Sequence, residues 1–339
     1  MPPPSVVDIE QLLRDEGNGR DPEPVGQSLE GRSVLVTGAG GSIGSGLCRQ
    51  ICQCRPTRLI LVGNGEYSIY QIQTELAFRY PEVPVRSVIA DVGNRARMDL
   101  VFRTLRPEIV FHAAARKFLS LVEANPEEGV MTNVFGTRTL ASLAREHGAA
   151  EFVYISTDKA VRPISVLGAT KRLAELLIQD LAREGGTRFV TVRFGNVLRS
   201  RGSVVGLFEQ QIARGGPVTV THPQARRFFM SLGEAVHLVL RSSEIGRNGD
   251  LCVLDMGEQV GIADLAAALI RLHGQPLQPE IRIVFTDLAP GEKLSEELLS
   301  PGEAAVARQV GKVLVCPPPE SDGRVGEAGL DELRQAAAG

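Results

Sequence analysis

The chain has 339 residues, 43% of them hydrophobic and 23% charged, with a formal net charge of −3. That balance fits a globular protein with one large domain, or a core domain and a smaller partner. It argues against a nucleic-acid or anionic-membrane binder, and no apolar run nears the ~18 residues of a membrane span.

Five cysteines (Cys48, Cys52, Cys54, Cys252, Cys316) lack a C-x-x-C pair with nearby histidines. No metal is expected, and a reduced, cytoplasmic compartment is. The three between Cys48 and Cys54 read as helix packing residues. Residues 1–30 are rich in Pro, Gly and charge, with only Val6–Arg14 spaced for a short helix. They read as an extension, and no signal peptide precedes Val34.

Val34 to Val36 is an apolar run that reads as a buried parallel strand. Thr37 opens a turn, and Ser45–Cys54 reads as a helix. Gly38, Gly41 and Gly44 stand between them at G-x-x-G-x-x-G spacing. A tight strand-to-helix turn and a close-lying pyrophosphate both oppose a Cβ. The helix amino terminus offers free N–H groups and a partial positive charge to such a phosphate. Strand, turn and helix in that order point to a dinucleotide cradle made by Gly38, Gly40, Gly41, Ser42, Ile43 and Gly44.

Arg58–Val62 reads as the second strand. A carboxylate often holds the cofactor ribose at its end, but Gly63 and then Asn64 stand there, leaving NAD and NADP both open. Tyr67–Tyr80 is a predicted helix and Val85–Ala90 the third strand. Asp91 and Val92 follow, where an acid can bond the adenine amino group. After a helix at Arg95–Leu105, strand four at Glu108–His112 runs into Ala113, Ala114 and Ala115. Such small residues let the backbone lie against a cofactor. Met131–His147 reads as a helix and Glu151–Ser156 as strand five. Thr157, Asp158 and Lys159 then lie just past a carboxyl strand end, where active groups of such sheets sit.

Phe189–Arg193 is the sixth predicted strand. Beyond it come a helix at Val204–Arg214, a strand at Val218–Thr221 and a helix at Leu232–Ser243. A strand at Asp250–Met256 and a helix at Ile262–His273 complete the pattern. The alternation implies an α/β, Rossmann-type doubly wound parallel sheet with a smaller substrate-binding lobe. The expected division is a cofactor domain at 31–195, a substrate lobe at 196–320 with elements returning to the sheet, and a tail at 321–339. No internal repeat appears.

With these stretches placed, the chain resembles the extended short-chain dehydrogenases/reductases. Within them it looks like the nucleotide-sugar 4,6-dehydratases of the capsular polysaccharide biosynthesis type. The matching pieces are TGAGGSIG (Thr37–Gly44), HAAA (His112–Ala115), TNVFGT (Thr132–Thr137) and STDKAV (Ser156–Val161). GATKR (Gly168–Arg172), RFGNV (Arg193–Val197), PVTVTHP (Pro217–Pro223), LDMGE (Leu254–Glu258) and PGEKLSEEL (Pro290–Leu298) follow in family order. VVDIEQLL resembles the linker that follows a membrane region in long members, so a short form without that region is expected.

The resemblance implies C4 oxidation, loss of water across C5 and C6, and hydride return to C6 on a UDP-linked N-acetylhexosamine, with inversion at C5. It implies a tightly held NAD or NADP, regenerated each turn, and a homo-oligomer. By similarity Lys159 is the base at C5, Asp158 the acid for the C6 hydroxyl, and Thr157 the partner of the 4-hydroxyl. Lys171 would hold the nicotinamide ribose and Asn133 would face the cofactor. Lys117, Leu167, Asn196 and Arg227 would meet the substrate, Arg227 at its diphosphate, with Glu292 and Lys293 near the nucleoside. A lysine serves as a base near neutrality when burial or a neighbouring cation lowers its pKa.

The chain also departs from the family. Leu167 stands where the superfamily's Tyr-x-x-x-Lys tyrosine would be, and Tyr67, Tyr70, Tyr80 and Tyr154 all lie elsewhere. Long dehydratases often carry methionine there, so removal of the 4-hydroxyl proton would fall to Lys159 or Asp158. Phe118, Ser120, Ala289 and Ser295 also replace common residues. The rival readings are a C4 or C5 epimerase, a dehydratase of a modified nucleotide sugar, and an inactive nucleotide-sugar-binding protein.

Overall fold

The computed structural model describes residues 25–272, 281–319 and 324–338. The predicted helix at Val6–Arg14 lies outside these. The first half alternates strand and helix: β1 (Ser33–Thr37), α1 (Ser42–Gln53), β2 (Arg58–Gly63), α2 (Glu66–Arg79), β3 (Val85–Ile89), α3 (Arg95–Leu105) and β4 (Ile109–His112). Two short helices follow, α4 (Leu119–Ala124) and α5 (Pro126–Gly129). A π-helical stretch (Val130–Gly136) then runs into α6 (Thr137–Glu146). Next come β5 (Glu151–Ile155), α7 (Val166–Glu184) and β6 (Arg188–Arg193).

Later elements are shorter: β7 (Asn196–Val197), α8 (Val204–Ala213), β8 (Val218–Val220), β9 (Arg226–Arg227), β10 (Phe229–Met230) and α9 (Leu232–Ile245). They continue with β11 (Leu251–Leu254), β12 (Val260–Gly261), α10 (Ile262–Leu272), β13 (Ile283–Phe285), α11 (Pro301–Val306), β14 (Arg308–Val310), β15 (Val313–Cys316) and α12 (Glu327–Ala338).

The main sheet has nine strands in the order β14-β15-β11-β6-β5-β4-β1-β2-β3. Pairs from β3 through to β11 are parallel, while β15 runs antiparallel to both β11 and β14. Chain order reverses at β1, which pairs with β2 on one side and β4 on the other. The crevice beyond its carboxyl end is where such sheets hold ligands.

β1 is buried along its whole length, as a strand covered on both faces must be. Its side chains alternate between two cores. Val34 and Val36 join Leu47, Ile51 and Val236, whereas Leu35 joins Ile60, Val110 and Phe152. A third core, with Phe208, Val218 and Leu265, lies among the later short elements.

α1 starts three residues earlier than its predicted Ser45. Glycine does not break its first turns because close approach needs it there. A Cβ on Gly46 would come within 2.8 Å of Val236 in α9. Cys48 and Cys52 are buried in the same core, and burial pushes the Cys52 thiol up to about 12. The five cysteines are unpaired. Among the described residues, no helix is long and apolar enough to cross a membrane.

Candidate active site

At the carboxyl ends of β1, β4 and β5 lies a cavity of about 700 Å³. Its floor is the turn from β1 to α1. Gly38 has φ +62°, and a Cβ on it would meet the Ala113 carbonyl and the Ala114 nitrogen at 2.8 Å. A Cβ on Gly44 would run into the Gly38 carbonyl oxygen. The Gly41 N–H donates to that same oxygen at 2.8 Å, closing the turn. The first helical turn, Ser42 to Gly44, lines the cavity together with Gly38, Gly40 and Gly41. Gly44→Ala is expected to weaken dinucleotide binding more than about tenfold, about 1.4 kcal/mol, checked by isothermal titration.

The alanine wall is held from behind by a buried hydrogen-bond chain. The Thr137 hydroxyl donates to the Asn133 carbonyl (2.7 Å), so it accepts from His112 Nε2 (2.9 Å). His112 Nδ1 then accepts from the Thr37 hydroxyl (2.7 Å), which in turn accepts the Ala114 N–H (3.3 Å). Burial, with Lys171 nearby, pushes His112 down to about 3, so the ring is neutral.

Asn133 does not line the cavity. Its Oδ1 accepts from the Arg116 N–H (2.8 Å), and its Nδ2 donates to the Arg116 carbonyl (3.0 Å) and to Thr170 Oγ1 (3.1 Å). Its place is a clamp on the loop after the alanines. Asn64, Asp91, Val92, Ala113, Ala114 and Ala115 do line the cavity, as do Lys117, Leu167 and Asn196.

Thr157, Lys159 and Lys171 also reach the cavity wall. Asp158 sits behind them, fully buried. Its Oδ1 accepts from Thr157 Oγ1 (2.9 Å) and Lys159 Nζ (3.0 Å), while Oδ2 has no hydrogen-bond partner. Burial lowers the Lys159 ammonium, but the Asp158 and Glu296 carboxylates outweigh it and hold the group above its ordinary range. The lysine tuned to neutrality is Lys171. Burial pushes it down to about 7, against the pull of Glu175. Its Nζ donates to the Ile155 carbonyl (2.6 Å) and lies 4.3 Å from the Tyr154 ring centre.

The structure does not bring Arg227, Glu292 and Lys293 to the cavity. Arg227 Nη2 pairs with Glu292 at 2.7 Å, and its Nη1 donates to the Arg226 and Leu294 carbonyls. Lys293 Nζ donates to the Val161 carbonyl (2.6 Å) and faces Glu296 at 3.4 Å. Residues 200–203 are cavity-lining positions beyond those expected. The Arg201 N–H donates to Ser42 Oγ (3.0 Å), and the Arg201 carbonyl accepts from Lys117 Nζ (2.7 Å). Their only signal is their position directly after the RFGNV motif.

A buried charge network supports the strand end that carries Thr157. Arg193, fully buried on β6, donates to both oxygens of Glu175 (3.0 and 2.7 Å) and reaches Glu303 at 2.9 Å. Ser156 donates to Glu175 Oε1 at 2.6 Å. Burial raises Glu303, but hydrogen bonding and attraction from Arg193 outweigh it and hold the carboxyl at about 2. A depressed carboxylate stabilises the fold above its unfolded value near 4.5, and that contribution is lost as pH falls toward about 2. Urea midpoints are expected to drop across that interval, and Glu303→Gln to flatten the drop.

The polysaccharide biosynthesis protein family matches residues 34–318. The capsular polysaccharide biosynthesis protein CapD of Staphylococcus aureus is 49% identical, over 88% of this chain and 50% of that protein. The chain thus spans half the length of that relative. A UDP-glucose 4-epimerase of Rickettsia akari is 34% identical, over 83% of this chain and 81% of that protein. A UDP-N-acetylglucosamine 4,6-dehydratase (inverting) of Campylobacter jejuni is 30% identical, over 80% and 78%. Among solved structures, Pen from Bacillus thuringiensis superposes with a TM-score of 0.80 at 30% identity, covering 91% of this chain and 98% of that one. The chain belongs to the polysaccharide biosynthesis protein family, as an extended short-chain dehydrogenase/reductase related to nucleotide-sugar dehydratases and epimerases.

Proposed function

We propose that the protein is an NAD(P)-dependent 4,6-dehydratase of a UDP-N-acetylhexosamine, inverting at C5. The observation that carries this reading is the Asp158–Lys159 pair, with Nζ and Oδ1 3.0 Å apart, Lys159 lining the same cavity as the glycine turn and Asp158 buried behind it. NAD and NADP both fit. The turn denies room to a Cβ, and Gly63 sets neither a carboxylate nor a cation at the ribose end. Ser42 to Gly44 would hold the diphosphate, Asp91 the adenine and Lys171 the ribose. Bound nicotinamide supplies a reversible two-electron oxidation at C4, whose electrons return at C6.

The chain's own residues handle the protons: the 4-hydroxyl proton leaves through Lys159 to solvent as C4 is oxidised, and C5 regains a proton from solvent as the hydride reaches C6. The Lys159 ammonium passes a proton to Asp158 Oδ1, leaving a neutral amine and a carboxylic acid. The amine takes the C5 proton, and Asp158, buried behind the wall, gives its proton through the Thr157 hydroxyl bonded to it to the departing C6 hydroxyl, which leaves as water. The pair returns to its starting charge when that step is complete. Thr157, already bonded to Asp158, is placed to bond the 4-hydroxyl.

Leu167 bears on the epimerase reading. It lines the cavity four residues before Lys171 and carries no proton to exchange with a 4-hydroxyl. Residues 31–195 serve as the cofactor domain and 196–320 as the substrate lobe in this reading, within a cytoplasmic homo-oligomer. Incubation with UDP-N-acetylglucosamine and NAD or NADP tests the reaction class by mass. Loss of one water is expected, whereas an isomer of unchanged mass would establish epimerisation.

A further inference from the structure

We propose that Glu296 is a positioning residue of this site, a buried carboxylate that fixes the Lys159 side chain and sets the proton balance of the Asp158–Lys159 pair. That role rests on the reading of Lys159 as the base. Glu296 comes from the segment between β13 and α11, far in sequence from the turn after β5. The segment is clasped on both sides. Gln259 Nε2 donates to the Glu296 carbonyl at 2.7 Å, the Arg226 N–H to the Leu294 carbonyl at 2.9 Å, and Lys293 to the Val161 carbonyl.

The side chain of Glu296 is only 2% exposed. Its Oε1 lies 3.6 Å from Lys159 Nζ and its Oε2 3.4 Å from Lys293 Nζ. Oε2 is buried without any hydrogen bond. A carboxylate buried for structure alone is satisfied by hydrogen bonds, as Glu175 is by Ser156, Arg172 and Arg193. Glu296 instead faces two ammonium groups at ionic distance. Its contribution is charge delivered to Lys159, with Lys293 as counterweight.

The groups facing Lys159 are Asp158 on its own turn, Glu296 on the later segment and the Arg227 cation on β9. Lys293 lies beyond Glu296. Two anions against one cation favour the ammonium and hold it beside Asp158 for the proton hand-over. Removing the Glu296 charge tips that balance toward the amine. Removing Lys293 frees the Glu296 charge and tips it the other way.

The chain has five lysines, Lys117, Lys159, Lys171, Lys293 and Lys312, so each is resolvable by NMR in protein carrying lysine isotopically labelled at Cε. The titration of Lys159, assigned by its loss in Lys159→Arg, is read in the full chain with NAD added. Glu296→Gln is expected to move it to lower pH by about one unit or more, and Lys293→Met to higher pH. Glu296→Asp is expected to restore most of the wild-type behaviour. The acidic limb of C5 proton exchange with UDP-N-acetylglucosamine should move in the same directions.

A Glu296→Gln protein that melts like wild type yet leaves the Lys159 titration unmoved overturns the role. If Glu296→Gln does not fold, Lys293→Met decides: an upward move supports it, and no move overturns it. Titrations that move as expected without C5 exchange in wild type would support Glu296 as the group that sets Lys159, and would sink the dehydratase reading instead.

Discussion

Lys159→Met is expected to slow exchange of the substrate C5 proton by about 10²–10⁴-fold, the usual consequence of losing a positioned general base. Methionine keeps much of the volume, so dinucleotide binding should stay near wild type, while the melting temperature should fall because the buried Asp158 and Glu296 carboxylates lose the ammonium they share. The expectation follows from placement. Lys159 is the one residue of the Asp158–Lys159–Glu296 group that lines the cavity, and its side chain is 20% exposed. Lys171→Met should behave differently. That lysine leans on the Ile155 carbonyl and the Tyr154 ring, at the nicotinamide end of the proposed cradle. Its loss should weaken the cofactor first. Exchange rates and cofactor affinities measured on both variants separate the roles, and a Lys159→Met protein with wild-type exchange would remove the base.

Glu175→Ala is expected to cost about 3–5 kcal/mol of stability, because it removes two charge-assisted hydrogen bonds from a buried guanidinium and leaves Glu303 as its remaining carboxylate partner. Arg193 is fully buried, and Glu175 supplies two of its hydrogen bonds. The same carboxylate accepts from Ser156 and Arg172, so its loss also loosens the residue before Thr157. Urea unfolding measures the cost. The double variant Glu175→Leu with Arg193→Met should recover part of it, since an apolar pair leaves no unpaired charge. A cost near that of a surface substitution would show that water reaches the network.

The sheet was legible where burial on both faces wrote apolar runs, as in β1, β2, β4 and β5, whereas β3 at the sheet edge buries only Val88. α7, which carries Leu167 and Lys171, is an amphipathic helix with no counterpart among the predicted elements. Strands of two to four residues such as β9, β12 and β14 carry too little periodicity to stand out. The helix expected from Met131 begins at Pro126 and passes through a π-helical stretch, a local widening that side-chain spacing does not encode.

The cavity followed the same logic. Glycine and alanine positions were legible because backbone crowding dictates them. Asn133 and Arg227 were expected at ligands, yet each has its polar atoms engaged by protein groups that lie far away in sequence. Glu296 was hidden for the same reason. Its meaning comes from Lys159, 137 positions earlier in the chain.

The most direct test of the account is incubation with UDP-N-acetylglucosamine and NAD or NADP in heavy water, followed by mass spectrometry and NMR of the sugar. Proton removal at C5 by Lys159, then reprotonation from solvent, predicts a product that has lost one water and carries one deuterium at C5. A dehydrated product without deuterium at C5 would contradict solvent-exchanging base chemistry at Lys159. Unchanged substrate with cofactor bound would contradict the assignment of this sugar as its substrate.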